Sequence, residues 1–156
     1  MKTVLLVKND KAGLIALALI LRSQGYDVLE SSDGDEAIHV CLEQQGPIHL
    51  LLMDFDLGGS NAGPKLAERL LELSPEMQVI FMFSSSPNEL LQVETLPWGS
   101  TFLQKPFSPE TLLRDVHERI AELRSTTRRL AGDAEILNGL RMDRARETEQ
   151  KAPANA

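Results

Sequence analysis

The sequence predicts a doubly wound α/β domain, a five-stranded parallel sheet with helices on both faces. Three observations carry this expectation. Short apolar runs recur five times along the chain, and most are followed by a stretch with helical spacing. Alternation at this length joins strands through right-handed βαβ units. No internal repeat suggests a solenoid or propeller instead.

The elements follow in order. Residues 3–7, Thr3-Val4-Leu5-Leu6-Val7, form the continuous apolar run that a strand buried on both faces requires. Asn9 or Asp10 can then cap a helix over 11–24. A strand over 26–31 and a helix over 34–45 come next. The third strand, 48–54, drives Leu50-Leu51-Leu52-Met53 straight into Asp54 and then the turn at Gly58-Gly59. A helix over 64–73, a strand over 78–83, a helix over 88–94 and a strand over 100–104 complete the alternation. Ser108 followed by Pro109 opens the last helix, 109–123, because serine caps and proline is preset for the first turn.

The chain of 156 residues is long enough for one domain with a real core. Hydrophobic content of 42% and charged content of 25% are ordinary for a soluble globular protein. A net charge of −7 supplies no domain-wide basic field, which argues against a nucleic-acid partner. Cys41 is alone, so there is no disulfide framework, and its apolar surroundings suit a buried small hydrophobe. The longest apolar run, 12–21, is too short to span a bilayer, and the N-terminus has no signal-peptide layout. The default expectation is a cytoplasmic protein with no membrane partner. That run has no charge around its circumference, so it should be covered on more than one side. The sheet and last helix can cover part, and a C-terminal extension or a second copy in a homodimer the rest.

Residues 1–123 are expected to form the folded domain, 124–148 a helical extension, and 149–156 a disordered tail. Val116, Ile120, Leu123, Thr127, Leu130, Ala134 and Leu137 follow alternating spacings of four and three, although Thr127 is polar and Gly132-Asp133 interrupts the pattern. A dimeric coiled coil therefore stays open beside a simple helical extension.

Strand ends gather polar residues in this fold class. Lys8, Asn9 and Asp10 follow the first strand, and Asp54 and Asp56 the third. Ser84, Ser85 and Ser86 follow the fourth, and Lys105-Pro106-Phe107 the fifth. In a flavodoxin-like strand order the first and third strands flank the switch point, so Asp54, Asp10, Ser84 and Lys105 can converge. Asp54 alone reads as readily as a strand end that starts a turn as it does as a functional carboxylate, whether nucleophile, metal ligand or phosphate acceptor. A carboxylate, a lysine and a hydroxyl in one cleft suit transient acyl-phosphate chemistry.

With these residues in that order, residues 2–123 resemble the response-regulator receiver domain of two-component signalling, the family of the chemotaxis regulators. The most specific segments are Leu51-Leu52-Met53-Asp54 with its glycine-rich turn and Phe102-Leu103-Gln104-Lys105-Pro106-Phe107. The resemblance implies Asp54 as phosphoacceptor, Lys105 as the phosphoryl contact, Pro106 as a cis proline and Phe102 as the aromatic switch. It implies a sensor histidine kinase or phosphotransfer protein as donor. The expected output is contact with a downstream protein target through the helix before the fifth strand, that strand and the last helix. About thirty residues after residue 123 are too few for an output domain, so the expectation is a single-domain regulator that is not an enzyme. Asp54-Phe55-Asp56 also resembles the Asp-x-Asp of haloacid-dehalogenase-type phosphatases. There the motif ends the first strand, whereas here it ends the third and no later strand end supplies an acidic pair.

The match departs from the family at two places. Receivers usually carry two adjacent acids after the first strand, which bind Mg²⁺ together with the phosphoacceptor. Here Lys8-Asn9 stands in their place, leaving Asp54, Asp10 and Asn9 as a weakened Mg²⁺ set. Lys8 either places an ammonium near the vacated cation position or points to solvent. The switch hydroxyl falls on Ser84 by spacing from Asp54, or on Phe83 by matching the fourth strand. His39, His49 and His117 are scattered and read as structural. Two functional readings follow, an atypical phosphorylated regulator and a phosphorylation-independent pseudo-receiver acting as an interaction or dimerisation module. The missing acids favour the second, and retention of Asp54, Lys105, Pro106 and Phe102 favours the first.

Overall fold

β1 (Thr3–Val7) and β3 (Leu50–Asp54) bury every one of their residues. With helices on both faces, neither set of alternating side chains meets water, so these strands read as unbroken apolar runs. The computed structural model describes residues 1–57, 62–84 and 99–132. The sheet is completed by β2 (Asp27–Ser31), β4 (Gln78–Phe83) and β5 (Thr101–Gln104). All pairs are parallel and the order is β2-β1-β3-β4-β5. The helices are α1 (Lys11–Ser23), α2 (Gly34–Glu43), α3 (Ala62–Leu73) and α4 (Pro109–Gly132). The fold class is therefore the one expected, a doubly wound five-stranded parallel sheet with helices between its strands.

Alternation along the strands divides the interior into two cores. Val4, Leu6, Leu50, Leu52 and Met82 pack with Leu14, Leu17 and Leu21 of α1 and with Leu112 and Val116 of α4. Leu5, Val7, Leu51, Met53 and Phe81 pack on the other face with Ala37 of α2 and Leu66 and Leu70 of α3. Arg119 links α4 to the far end of the sheet by donating to Gln78 Oε1 at 2.8 Å and to the Gly99 carbonyl.

Several boundaries differ from expectation for local reasons. β2 starts at Asp27 because residues 24–26 close α1. Gly25 sits at φ 86°, its N–H donates to the Arg22 carbonyl, and the Tyr26 N–H donates to the Leu21 carbonyl. This pairing satisfies carbonyls that a helix end leaves open, and glycine adopts the left-handed conformation cheaply. α3 begins at Ala62, so Pro64 lies inside the first turn, where a missing N–H costs no intrahelical bond. α4 runs from Pro109 to Gly132, into the stretch expected as a helical extension. Met1–Ile120 forms one compact unit, and Ala121 onward belongs to a second.

The outer side of α1 remains apolar, with Ile15 48% and Leu19 63% exposed. The cover expected for it from a C-terminal extension or a second copy involves residues outside those described. The expected helix over 88–94, Ser85, Ser86, the Gly58-Gly59 turn, the heptad positions after 132 and the tail over 149–156 also lie outside the described residues. Cys41 is half-buried and burial pushes its thiol up, which suits a packed small hydrophobe rather than a reactive thiolate. Among the described residues no helix is long and apolar enough to cross a membrane.

Candidate functional site

Register and alternation bring three charged residues to one edge of the sheet. Val7 of β1 pairs with Met53 of β3, so the next residues, Lys8 and Asp54, lie abreast. Asp54 continues the series Leu50 and Leu52, and Lys8 the series Val4 and Leu6, both on the α1/α4 face. Leu103 of β5 belongs to that face too, and Lys105 follows it by two residues. Backbone bonds hold each position. The Lys8 N–H donates to the Ser31 carbonyl at 3.1 Å, the Lys105 N–H to the Phe83 carbonyl at 2.8 Å, and the Phe55 N–H to the Met82 carbonyl at 2.9 Å.

Asp54 is only 2% exposed, which would be costly for an unpaired carboxylate. Two ammoniums offset that cost. Lys105 Nζ lies 2.8 Å from Oδ1, and Lys8 Nζ lies 3.4 Å from Oδ1 and 3.3 Å from Oδ2. The Lys105 side chain remains partly in water, whereas that of Lys8 is only 14% exposed. Of the two readings of Lys8, the structure shows the inward one. The Lys105–Pro106 peptide is cis.

Asp10 does something different. It is the N-cap of α1, and its Oδ2 accepts the Gly13 N–H at 3.0 Å. Asn9 is exposed. A Cβ built on Gly13 would lie 2.3 Å from Lys8 Cε and 2.5 Å from Asp10 Oδ2, so the glycine leaves the space through which Lys8 reaches Asp54. Gly63 plays a comparable part on the other side, where an added Cβ would lie 2.1 Å from the Phe55 carbonyl oxygen. Neither glycine was singled out from sequence. For Gly13 the available signal was a lone glycine inside a helical pattern, whereas Gly63 fell in the turn before the helix expected from 64.

A magnesium ion asks for several hard oxygen ligands in near-octahedral geometry. The residues present do not fit that demand. Asp54 is held by two ammoniums, Asp10 is engaged as a helix cap, and Asn9 offers one neutral oxygen from the surface. Among the described residues no group of three or more His, Cys, Asp and Glu could hold a metal.

The aromatic position is also specific. Phe102 is 38% exposed, stacks on Phe81 at 6.3 Å between centroids and meets Phe83 edge-on at 5.6 Å. Phe83 and Phe81 share the α2/α3 face. Continuing the alternation of Ile80 and Met82 assigns Ser84, one residue past β4, to the side of Asp54. The histidines lie apart from this edge. His39 pairs with Glu43 on α2 at 3.2 Å, His49 accepts the Thr3 N–H at 3.0 Å, and His117 is exposed on α4.

Residues 4–117 match the response regulator receiver domain family. The aerobic respiration control protein ArcA of Escherichia coli K12 is 33% identical over 111 residues, which cover 70% of this chain and 44% of ArcA. The sensor kinase CckA of Brucella abortus is 32% identical over 120 residues, covering 76% of this chain and 12% of that protein. The chain thus spans less than half the length of either relative. A CheY-like receiver domain from Methanospirillum hungatei superimposes with a TM-score of 0.68 at 25% identity, covering 81% of this chain and 98% of that one. Receivers of this family typically bind Mg²⁺ at an acidic pocket and interact with histidine kinases or phosphotransfer proteins. With a family match running from β1 into α4 and a fold to agree with it, this chain belongs to the response regulator receiver domain family of two-component signalling.

Proposed function

We propose that the protein is an atypical receiver in a two-component phosphorelay, with Asp54 as its phosphoacceptor and output through protein contacts. The observation that carries this reading is the buried Asp54 carboxylate held by two lysines at the C-terminal edge of the sheet. In the transfer, a carboxylate oxygen forms a bond to phosphorus as the bond to the donor breaks. From a phosphohistidine of a sensor kinase or phosphotransfer protein, the imidazole nitrogen leaves with the bonding pair and takes up a proton. Lys105 is then the phosphoryl contact, its ammonium offsetting charge that develops on the phosphoryl oxygens. Ser84 is the hydroxyl on the same side, and Phe102 the ring that changes exposure. The reading needs no catalytic turnover by this chain, so we assign it a signalling role rather than an enzymatic one.

The output surface in this reading contains β5, the partly exposed Phe102 and α4. The net charge of −7 supports protein rather than nucleic acid as the target. We assign residues 1–123 to the receiver and 124–148 to a helical extension that offers a second surface, for a partner or another copy. One observation favours a second reading, the phosphorylation-independent pseudo-receiver. Asp54 is nearly inaccessible, and its charge is already matched within the protein.

Intact-mass measurement after incubation with acetyl phosphate separates the two. The phosphoacceptor reading expects a single added phosphoryl group that is lost in Asp54→Ala. Absence of the adduct with acetyl phosphate and with phosphoramidate leaves the pseudo-receiver.

A further inference from the structure

We infer that Lys8 is the resident cation of the Asp54 pocket, an ammonium carried by the chain that stands in for the divalent metal of other receivers. The inference rests on Asp54 as phosphoacceptor and specifies how that site works. Lys8 spans both carboxylate oxygens, at 3.3 and 3.4 Å, from a side chain only 14% exposed. A lysine merely tolerated at this position would extend into water, where its ammonium is best solvated. The fold instead provides a path inward. Gly13 lies where Lys8 crosses the first turn of α1, and a single methyl group there would meet Lys8 Cε at 2.3 Å. Asp10, the acid nearest in sequence, is fixed to the Gly13 N–H at 3.0 Å and so caps the helix.

Charge balance points the same way. One carboxylate faces two ammoniums before modification, leaving the cluster positive by one. A phosphoryl group brings the site to about two negative charges, which Lys8 and Lys105 then match. A divalent cation added to both lysines would leave the modified site with excess positive charge. Lys8 therefore both supplies stabilising charge to the phosphoryl oxygens and disfavours metal. Phosphorylation of this receiver is accordingly independent of Mg²⁺.

The test uses the full chain and measures metal binding and phosphorylation separately. Mn²⁺ binding is read by water-proton relaxation, and phosphorylation by intact mass with acetyl phosphate in EDTA or in Mg²⁺. The wild type is expected to show no saturable Mn²⁺ binding and the same modification rate in both buffers. Lys8→Asp is expected to bind Mn²⁺ in the roughly millimolar range and to become Mg²⁺-dependent. Lys8→Met is expected to slow metal-free modification by roughly a hundredfold, the scale of losing one charge-stabilising donor. Gly13→Ala should slow it in the same direction, because its methyl group displaces the Lys8 side chain while leaving the lysine in place. That variant keeps the test meaningful if Lys8 substitutions misfold.

Saturable Mn²⁺ binding by the wild type equal to that of Lys8→Asp would overturn the inference. So would wild-type modification that requires Mg²⁺, or an unchanged rate in Lys8→Met. If neither the wild type nor any variant is modified by any donor, the phosphoacceptor reading fails by itself. The Mn²⁺ comparison between wild type and Lys8→Asp then still decides whether Lys8 holds the cation position.

Discussion

Asp54 and Lys105 meet at 2.8 Å although β4 lies between the strands that deliver them. The contact is possible because Lys105 leaves β5 on the face that Asp54 also occupies, so its long side chain crosses the end of the intervening strand. With Lys8 on the other side, the single carboxylate faces two ammoniums. Asp54→Ala should therefore destabilise the fold by about 1–3 kcal/mol, because it orphans the mostly buried Lys8. Asp54→Asn should cost less, since it keeps the volume and an acceptor. Urea denaturation of the three proteins checks this. A more stable Asp54→Ala would mean that the lysines do not hold the carboxylate in solution.

Gly63 sets a steric limit at the start of α3. A methyl group there would lie 2.1 Å from the Phe55 carbonyl oxygen and 3.1 Å from that of Asp54, both backbone atoms that cannot swing away. Gly63→Ala is expected to lower stability by about 1–3 kcal/mol despite the better helix propensity of alanine. Guanidinium unfolding curves provide the measurement, and a stabilised variant would refute the close approach.

Asp10 tests whether its carboxylate serves as a helix cap. Loss of the cap in Asp10→Ala should cost about 1 kcal/mol of stability, and Asp10→Asn should restore most of it because asparagine caps equally well. A metal-ligand role would be weakened by the neutral amide, which lacks the carboxylate charge. Thermal unfolding without added metal distinguishes the two roles.

His49 gives the fold a dependence on pH. Burial first, then the positive charges of Lys2 and the N-terminus, hold its imidazole below the usual value. Its Nδ1 accepts the Thr3 N–H at 3.0 Å, which needs the unprotonated nitrogen. The unfolded chain therefore binds the proton more readily than the native one as pH falls through about 6.5. Stability should decline over that window and level off once the native imidazole is also charged. The difference in urea midpoint between pH 7.5 and pH 5.5 should be smaller in His49→Gln than in the wild type. Parallel profiles for the two proteins would exclude His49 as the source.

Much of this architecture was legible along the chain. The unbroken runs of β1 and β3 mark strands covered on both faces, and Asp54 and Lys105 stand at strand ends where such folds gather ligands. The residues around Lys8 were harder to read. Its alternatives, pocket or solvent, differ only in the path of a flexible side chain, and no spacing along β1 decides that path. The purpose of Gly13 was equally hidden, since a glycine in an apolar helix has no meaning until a neighbouring side chain crosses it. The end of α1 shows the same limit, because Gly25 and Tyr26 close the helix through backbone bonds that strand propensity does not report.

Local pattern alone determined the order of strands and helices, the family resemblance, and the acid and lysine that define the site. These depend on periodicity and chain order, which a sequence carries directly. Only the tertiary structure decided that Lys8 turns inward onto Asp54 while Asp10 stays with its helix. That choice depends on the register of β1 against β3 and on the space left by Gly13, two relationships between segments brought together by folding.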